Sequence, residues 1–330
     1  MTMSADGETS ALIIRPARPE DTHRLLALHE QVFRRPLSAT ERAWKLDARA
    51  APVENVWLAE MDGRIVFQYA GVPIRFRHRG RDVWAMHSVD TMADPAHRRR
   101  GLLTQTATFT FARWREAGVA FVFGVPNQNW GKRLATLGFV RVAEVRWWVR
   151  WLHPFRSLAT KIGLPWFSAQ PEPALDASSV DDRKALADPA SLDALWARAA
   201  DEGVIRDAAW FDWRYRQAPR GFHLIGASLS RDSLDGVVAF RREGPSGLIA
   251  EVQGLDLRTA RSLLLSACEE LRGLGAERAT LLIQAGTPLE QSALASGFFP
   301  RPYGFPVVAA DLAAGLPRAA LFQGGDFDVV

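Results

Sequence analysis

A mixed α/β (α+β) fold in two similar halves is what the sequence predicts, and three observations predict it. Strand-like and helix-like runs follow one another in the order β α α β β β α β α β from Ala11 to Trp151. Within that order, two-residue loops at Asp62-Gly63 and Arg79-Gly80 join three strands as antiparallel neighbours, whereas a helix-long segment separates the next pair, as a parallel crossover requires. The sheet is therefore mixed rather than doubly wound. Finally, the chain after Ser191 repeats the plan of residues 55–139: three strands, helix, strand, helix, and a closing Gly-Phe.

Each element has a local reason. "ALIIRPAR" is a short apolar strand, and Pro19-Glu20-Asp21 opens a helix over "THRLLALHEQVF", where Leu25, Leu26, Leu28 and Val32 form an apolar stripe. "ATERAWKLDARA" reads as a second helix. "NVWLAEMD", "RIVFQYAGVPIRFRH" and "RDVWAMHSVDTM" are strands bounded by turn residues. A helix over "LLTQTATFTFARWREAG" follows, then a buried strand "AFVFGVP", a short helix in "NWGKRLATLG" and a strand "FVRVAEVRWWVRW". "SAQPEPALDASSVDDRKALADPAS" is rich in Pro, Ser and Asp and reads as a linker. In the second half, "SLDALWARAADEG" and "DAAWFDWRYRQAP" are helical or turn-like. "FHLIGASL", "GVVAFRRE" and "SGLIAEVQGLDL" are strands, "RTARSLLLSACEELRGLG" a helix, "ERATLLIQ" a strand and "PLEQSALASGF" a helix.

The stretch that carries chemistry is "HRRRGLL", residues 97–103. Three arginines at the mouth of a helix repel one another and oppose the positive end of the macrodipole, so an anionic partner belongs there. The other reading is a solvated basic cap, in a chain whose 41 basic residues include only four lysines. Arg98-Arg99-Arg100-Gly101-Leu102-Leu103, preceded by "DPAH", and the later block "PNQNWGKRLATLGF" resemble the GCN5-related N-acetyltransferase (GNAT) family. The form "PAHRRRGLL" is similar to that of the tandem, enhanced-intracellular-survival-type branch, although Leu103 stands where the general motif has a small residue. The resemblance implies a GNAT fold at residues 11–150, the acyl-CoA-binding catalytic domain. A Trp-rich bridge and linker then occupies 151–190, and 191–330 is a degenerate GNAT-like domain that completes the acceptor cleft. Where the first half has "DPAHRRRGLL", the second has "GLDLRTARSL" without the glycine loop.

The resemblance also implies site residues. The backbone of Thr91, Met92 and Ala93 forms the strand edge that pairs with pantetheine, by strand addition. Arg99, Arg100, Gly101, Leu102, Leu103 and Thr104 cradle the pyrophosphate, and Asn127 and Asn129 lie near the pantetheine arm unless they simply turn the chain. Many family members carry an acid tyrosine where this chain has Leu134. For the base, Asp90 is the first candidate, His87 the second and Glu60 the third. The same three residues also read as a carboxylate bonded within the sheet, a core histidine and a solvated glutamate. The acidic tail "GGDFDVV" is a further place to look, because some relatives use the C-terminal carboxylate.

Composition narrows the class. With 330 residues, 48% hydrophobic and 24% charged, the chain is globular and long enough for two domains. A net charge of +4 does not by itself argue for nucleic acid. One cysteine, Cys268, excludes an internal disulfide framework and suits a cytoplasmic setting; its helical neighbours read as burial. No signal peptide, membrane span or metal-ligand spacing is evident. The Trp-rich run around Trp147, Trp148, Trp151 and Trp166, with Trp130 upstream, reads as a packed seam between two domains or, less simply, as a membrane interface or an apolar substrate mouth. The expectation is an acetyl-CoA-dependent N-acyltransferase that uses acetyl-CoA or another acyl-CoA, no metal, and a small-molecule amine or peptide acceptor. Homo-oligomerisation stays open. The alternatives are a non-catalytic acyl-CoA-binding regulator and a longer-chain acyltransferase.

Overall fold

The computed structural model describes residues 11–47, 53–127, 130–131, 133–153, 188–199, 202–227 and 233–327. Contacts divide the chain into two units: Met1–Val142 with Pro306–Ala319, and Ala143–Phe305 with Ala320–Val330.

In the first unit, β1 (Ile13–Pro16), β2 (Val56–Met61), β3 (Arg64–His78) and β4 (Arg81–Ala93) pair antiparallel in sequence order. Both hairpin loops put their two central residues at positive φ: Asp62 at 50° and Gly63 at 71°, Arg79 at 51° and Gly80 at 71°. Left-handed backbone at both positions matches the twist of the flanking strands. α1 (Thr22–Phe33) contacts β4, and α2 (Ala39–Arg42) runs on into a π-helical turn over Ala43–Asp47. α3 (Leu102–Glu116) carries the chain back to β5 (Val119–Gly124), which lies parallel to β4. The short α4 (Arg133–Thr136) precedes β6 (Phe139–Trp151).

Period 3.6 decides which side of α3 is buried. Leu102, Thr106, Ala107, Thr110, Phe111 and Trp114 face the sheet. Trp114 is 0% exposed and donates its indole N–H to the Glu54 carbonyl at 2.8 Å. Tyr69 and Phe111 complete an aromatic cluster with it at centroid distances of 5.8 and 6.0 Å. Truncating Trp114 to Ala would remove about 3–5 kcal/mol of packing.

The second unit follows the same plan. α5 (Pro189–Ala199), β7 (Gly203–Val204) and α6 (Ala208–Phe211), continued by a π-helical turn over Asp212–Arg216, lead to β8 (His223–Ala227), β9 (Gly236–Glu243) and β10 (Ser246–Gly254). α7 (Leu257–Gly273) then crosses to β11 (Arg278–Gln284), which is parallel to β10, and α8 (Pro288–Ala295) precedes β12 (Phe299–Asp311). The core gathers Leu263, Leu264, Ala267, Cys268 and Leu271 of α7 against Val238, Phe240, Ile249 and Leu281 of the sheet. Burial pushes the Cys268 thiol up to about 11, which keeps it protonated and unreactive.

The last strand of each unit comes from an unexpected part of the chain. Val308–Asp311 of β12 pair antiparallel with β5 in the first unit. Val145–Trp151 of β6 pair antiparallel with β11 in the second. Sequence patterning assigns no element to residues 299–311 and groups 306–319 with the second half. Pro300, Pro302 and Pro306 interrupt the strand pattern there, and only the burial of Val307 and Ala309, both at 0%, shows where that segment belongs. Trp148 sits in the second unit's core, whereas Trp151 is 49% exposed with the Arg278 guanidinium 5.9 Å from its ring. The linker and Trp166 lie outside the described residues. No described helix is long and apolar enough to cross a membrane.

Candidate acyl-donor site

The parallel pairing of β4 with β5 runs from Trp84↔Val119 to His87↔Phe123 and stops. Beyond it the two strands part, and β4 carries a bulge: Gln68 faces Met92 and Ala70 faces Val89, so Asp90 and Thr91 together oppose one residue of β3. Asp90 sits at φ 44°, a left-handed setting that costs an L-residue on the order of 1 kcal/mol. The edge of β4 past the bulge is thus free of β5 in the pairing among the described residues.

The chain after β4 makes an anion cradle. Asp94 caps a 3-10 turn by accepting from the Ala96 N–H at 2.8 Å, and the turn delivers the arginines. Arg99 at φ 64° and Gly101 at φ 76° are both left-handed. Gly101 is the N-cap residue of α3, and a Cβ there would be strained by its φ whatever the space around it. No side chain caps the helix. The first intrahelical bond runs from the Gln105 N–H to the Gly101 carbonyl, which leaves the N–H groups of Leu102, Leu103 and Thr104 for an outside acceptor. Alternating left-handed residues and the free first turn of a 15-residue helix make a nest for negative charge.

A cavity of about 600 Å³ opens on this cradle. Phe67, Thr91 and Ala93 line it from the strands, Val32 and Phe33 from α1, and His97 to Thr104, except Arg100, from the loop and helix. Asn127, Trp130 and Arg133 close the remaining side. Arg98, Arg99 and Arg133 reach it and, among the described residues, no carboxylate does.

Most residues expected for the cofactor therefore come together: Thr91, Ala93, Arg99, Gly101, Leu102, Leu103, Thr104 and Asn127 all line the cavity. Met92 does not; strand alternation turns its side chain into the core at 3% exposure, and its backbone pairs with Gln68. Arg100 is exposed, and its carbonyl accepts from Gln105 Nε2 at 3.4 Å. Asn129 lies outside the described residues. Val32, Phe33, Phe67, His97, Arg98, Trp130 and Arg133 join the cavity without having been expected in it. Of these, His97, Arg98, Trp130 and Arg133 belong to the two motifs, while Val32, Phe33 and Phe67 carry no signal beyond core periodicity.

The three base candidates separate. Glu60 is on β2, paired with the edge strand β1 and bound to Arg15, whose Nε lies 2.8 Å from Glu60 Oε2 and whose Nη1 lies 2.6 Å from Asp21 Oδ2. The Arg15 guanidinium holds the Asp21 carboxyl well below the usual range. His87 is 6% exposed and stacks on Phe123 at 5.3 Å. Asp90 stays closest to the donor site: it adjoins Thr91, and its Oδ2 lies 2.8 Å from Lys45 Nζ, with both side chains under one-tenth exposed. Burial holds the His29 imidazole below its ordinary value, opposed by the nearby Asp90 charge. Lys45 and His29 are not legible in the sequence as site residues, because nothing in a helical run marks a lysine as buried.

Leu134, at the expected tyrosine position, packs against the first unit's core. Tyr69 is fully buried, and Ser88 Oγ donates to its hydroxyl at 3.1 Å. No group of three metal-ligating side chains occurs among the described residues.

Residues 13–131 match the family model described as an acetyltransferase (GNAT) domain. No curated protein sequence matches the chain. Among solved structures, a probable N-acyltransferase of Enterococcus faecalis V583 aligns over 93% of this chain and 74% of its own, with TM-score 0.68 and 15% identity. A GCN5-related N-acetyltransferase from Anabaena variabilis aligns over 92% and 73%, with TM-score 0.63 and 14% identity. Eis1 of Mycobacterium abscessus aligns over 92% and 74%, with TM-score 0.60 and 14% identity. At such identities the likeness is one of fold, and it spans both units, as a tandem GNAT arrangement requires.

Proposed function

We propose, on the premise that the chain carries a GNAT acetyltransferase domain and a tandem GNAT fold, that it is an acyl-CoA-dependent N-acyltransferase acting on a primary amine of a small molecule or peptide. The observation that supports this most is the uncapped, arginine-lined start of α3 opening on the parted edge of β4. Acyl-CoA supplies an acyl group activated as a thioester. Leu102, Leu103 and Thr104 offer N–H groups, and Arg98 and Arg99 guanidinium forks, to phosphate oxygens. The β4 backbone beyond His87 offers the edge for the pantetheine amides, and Phe33 and Phe67 exclude water from the arm.

The transfer forms the amine N–C bond and breaks the C–S bond, so one proton must leave the nitrogen. Asp90 is the base candidate best placed for it, through its neighbour Thr91 at the cavity wall. Its Oδ2 is ion-paired with Lys45 Nζ at 2.8 Å. No tyrosine stands at the cavity among the described residues, so the leaving thiolate departs as such, acceptable for a thiol whose free pKa is about 8.5.

The test is release of free thiol from acetyl-CoA against a panel of primary amines with the full chain. Turnover that Asp90→Asn abolishes, with acetyl-CoA affinity kept, bears the proposal out. Tight binding without thiol release across the panel supports the second reading, a non-catalytic acyl-CoA-binding protein. Leu134 in place of the tyrosine and the tied-up Asp90 carboxylate favour that reading. Absence of binding defeats both.

A further inference from the structure

Just ahead of the amide cradle, the turn that leaves β4 holds an imidazole in one setting. The Asp94 N–H donates to the Val66 carbonyl at 2.9 Å, which ties the turn to β3, and the His97 N–H donates to the Asp94 carbonyl at 2.9 Å. Asp94 divides its carboxylate between two neighbours. Oδ1 accepts from the Ala96 N–H at 2.8 Å, and Oδ2 faces His97 Nδ1 at 3.4 Å. Nδ1 is enclosed, whereas Nε2 is neither enclosed nor hydrogen-bonded among the described residues. His97 is 21% exposed at its side chain and lines the donor cavity, so Nε2 is the polar atom it can offer there.

Nothing in the fold uses that atom. Among the described residues no carboxylate lines the cavity, and Arg98 and Arg99 make no ion pair. A pyrophosphate is answered by the N–H groups of Leu102, Leu103 and Thr104 with the Arg99 guanidinium. His97 and Arg98 are left over, on the near side of the left-handed Arg99. A phosphate monoester brings a further charge of about −1.5 to −2 and three acceptor oxygens. An imidazole set between a carboxylate and a phosphate carries a proton on each nitrogen, Nδ1–H toward the one and Nε2–H toward the other.

We propose that His97, held by Asp94, recognises a phosphate monoester on the donor's nucleotide, separate from the pyrophosphate. With Arg98 it makes the cavity selective for acyl-CoA over the same thioester without that group, acyl-dephospho-CoA. The inference rests on the acyl-CoA reading of this cavity and names the part of the donor that the turn reads. Asp94 is a positioning residue: it fixes the ring and takes up the second proton's charge.

The test is calorimetry on the full chain with acetyl-CoA and with acetyl-dephospho-CoA. The unaltered protein binds acetyl-CoA at least tenfold more tightly. His97→Phe keeps a ring in the turn and removes both nitrogens. It weakens acetyl-CoA at least fivefold and leaves acetyl-dephospho-CoA unchanged, so the ratio between the two narrows. In nitrogen NMR of the unaltered protein, the His97 Nε2 signal moves to the protonated range with acetyl-CoA and stays in place with acetyl-dephospho-CoA. Equal binding of the two thioesters, equal weakening of both in His97→Phe, or the same Nε2 signal with both would each overturn the proposal while the donor reading stands. Failure of both thioesters to bind would defeat the donor reading itself, and this inference with it.

Discussion

The starts of α3 and α7 occupy corresponding places in two units of one plan, and they are finished in opposite ways. Each follows a strand whose parallel pairing stops partway: β4 at His87, β10 at Ile249. Each strand then bulges, between Val89 and Met92 in one and between Ile249 and Glu251 in the other. At α3 the N-cap is Gly101 with no side-chain cap, and arginines flank it. At α7 the N-cap is Asp256, whose own carboxylate takes up the helix end. The gap beside β10 is also filled, by the chain's own C-terminal segment. Gln323 Oε1 accepts from the Val252 N–H at 3.0 Å, and Phe322 exchanges bonds with Gln284 at 2.9 and 3.1 Å. Arg214 donates to the Gly325 and Phe327 carbonyls. The frame is thus indifferent to ligand. On the proposed reading, one residue at a helix start and one segment in a gap separate the unit that takes an anionic donor from the one that does not.

This contrast can be broken experimentally. The largest expected effect is at the open end. Reversing charge in Arg98→Glu/Arg99→Glu should weaken acetyl-CoA by a few hundredfold, about 3–4 kcal/mol, in calorimetry, because two charge-assisted phosphate partners become repulsive. The parallel change Arg258→Glu beside α7 should leave that affinity unaltered.

Next is the plug. A Cβ at Gly325 would lie 2.1 Å from the Tyr215 hydroxyl and 2.7 Å from Glu251 Oε2. Gly325→Val should cost about 3 kcal/mol in urea unfolding by overpacking, with acetyl-CoA affinity retained by the folded fraction. Retained stability would mean that the segment is not held where it lies.

A smaller effect is pH-linked. Asp326 and Glu251 share the Arg206 guanidinium in a dry site. Burial first, and then the neighbouring Glu251 charge, push the Asp326 carboxyl up to about 7, against the pull of Arg206. The unfolded carboxyl loses its proton near its ordinary value of 3.8 and the folded one near 7. Between those limits the unfolded state binds fewer protons, so stability falls as pH rises. The stabilisation is complete below about pH 4 and gone above about pH 7. It amounts to on the order of 2 kcal/mol, since Glu251 competes for the same guanidinium. Asp326→Asn should flatten that slope in melting curves taken across the range.

The smallest effect is at the closed end. Asp256→Ala should cost about 1 kcal/mol through loss of the cap. It should not create an acyl-CoA site there, since the gap remains filled; a second bound equivalent of acetyl-CoA would contradict the comparison.

Much of this contrast is legible in the order of residues. The Asp62-Gly63 and Arg79-Gly80 loops announce their hairpins, because two left-handed residues between alternating strands admit little else. Arg99 and Gly101 mark the left-handed turn before α3 that lines the cavity, while Arg100, expected with them, stays outside it. "FDWRYRQAP" is ambiguous as a string between an acceptor cleft and packed aromatics. Trp210, Trp213, Arg214 and Tyr215 all prove buried within the second unit, and Tyr215 donates to Glu251 at 2.9 Å.

What the sequence by itself determined was local: strand and helix periods, the turn chemistry, and the unusual charge at the mouth of α3. These depend on neighbours within about one helical turn, so the order of residues carries them. Only the tertiary structure decided which strand completes each unit, that Lys45 meets Asp90, and that Phe322 to Asp326 lie along β10 and β11. Those contacts join residue 45 to 90, 252 to 323 and 284 to 322 in the chain. Their energy comes from removing specific charged and apolar groups from water together, a property of the folded surface that no local pattern encodes.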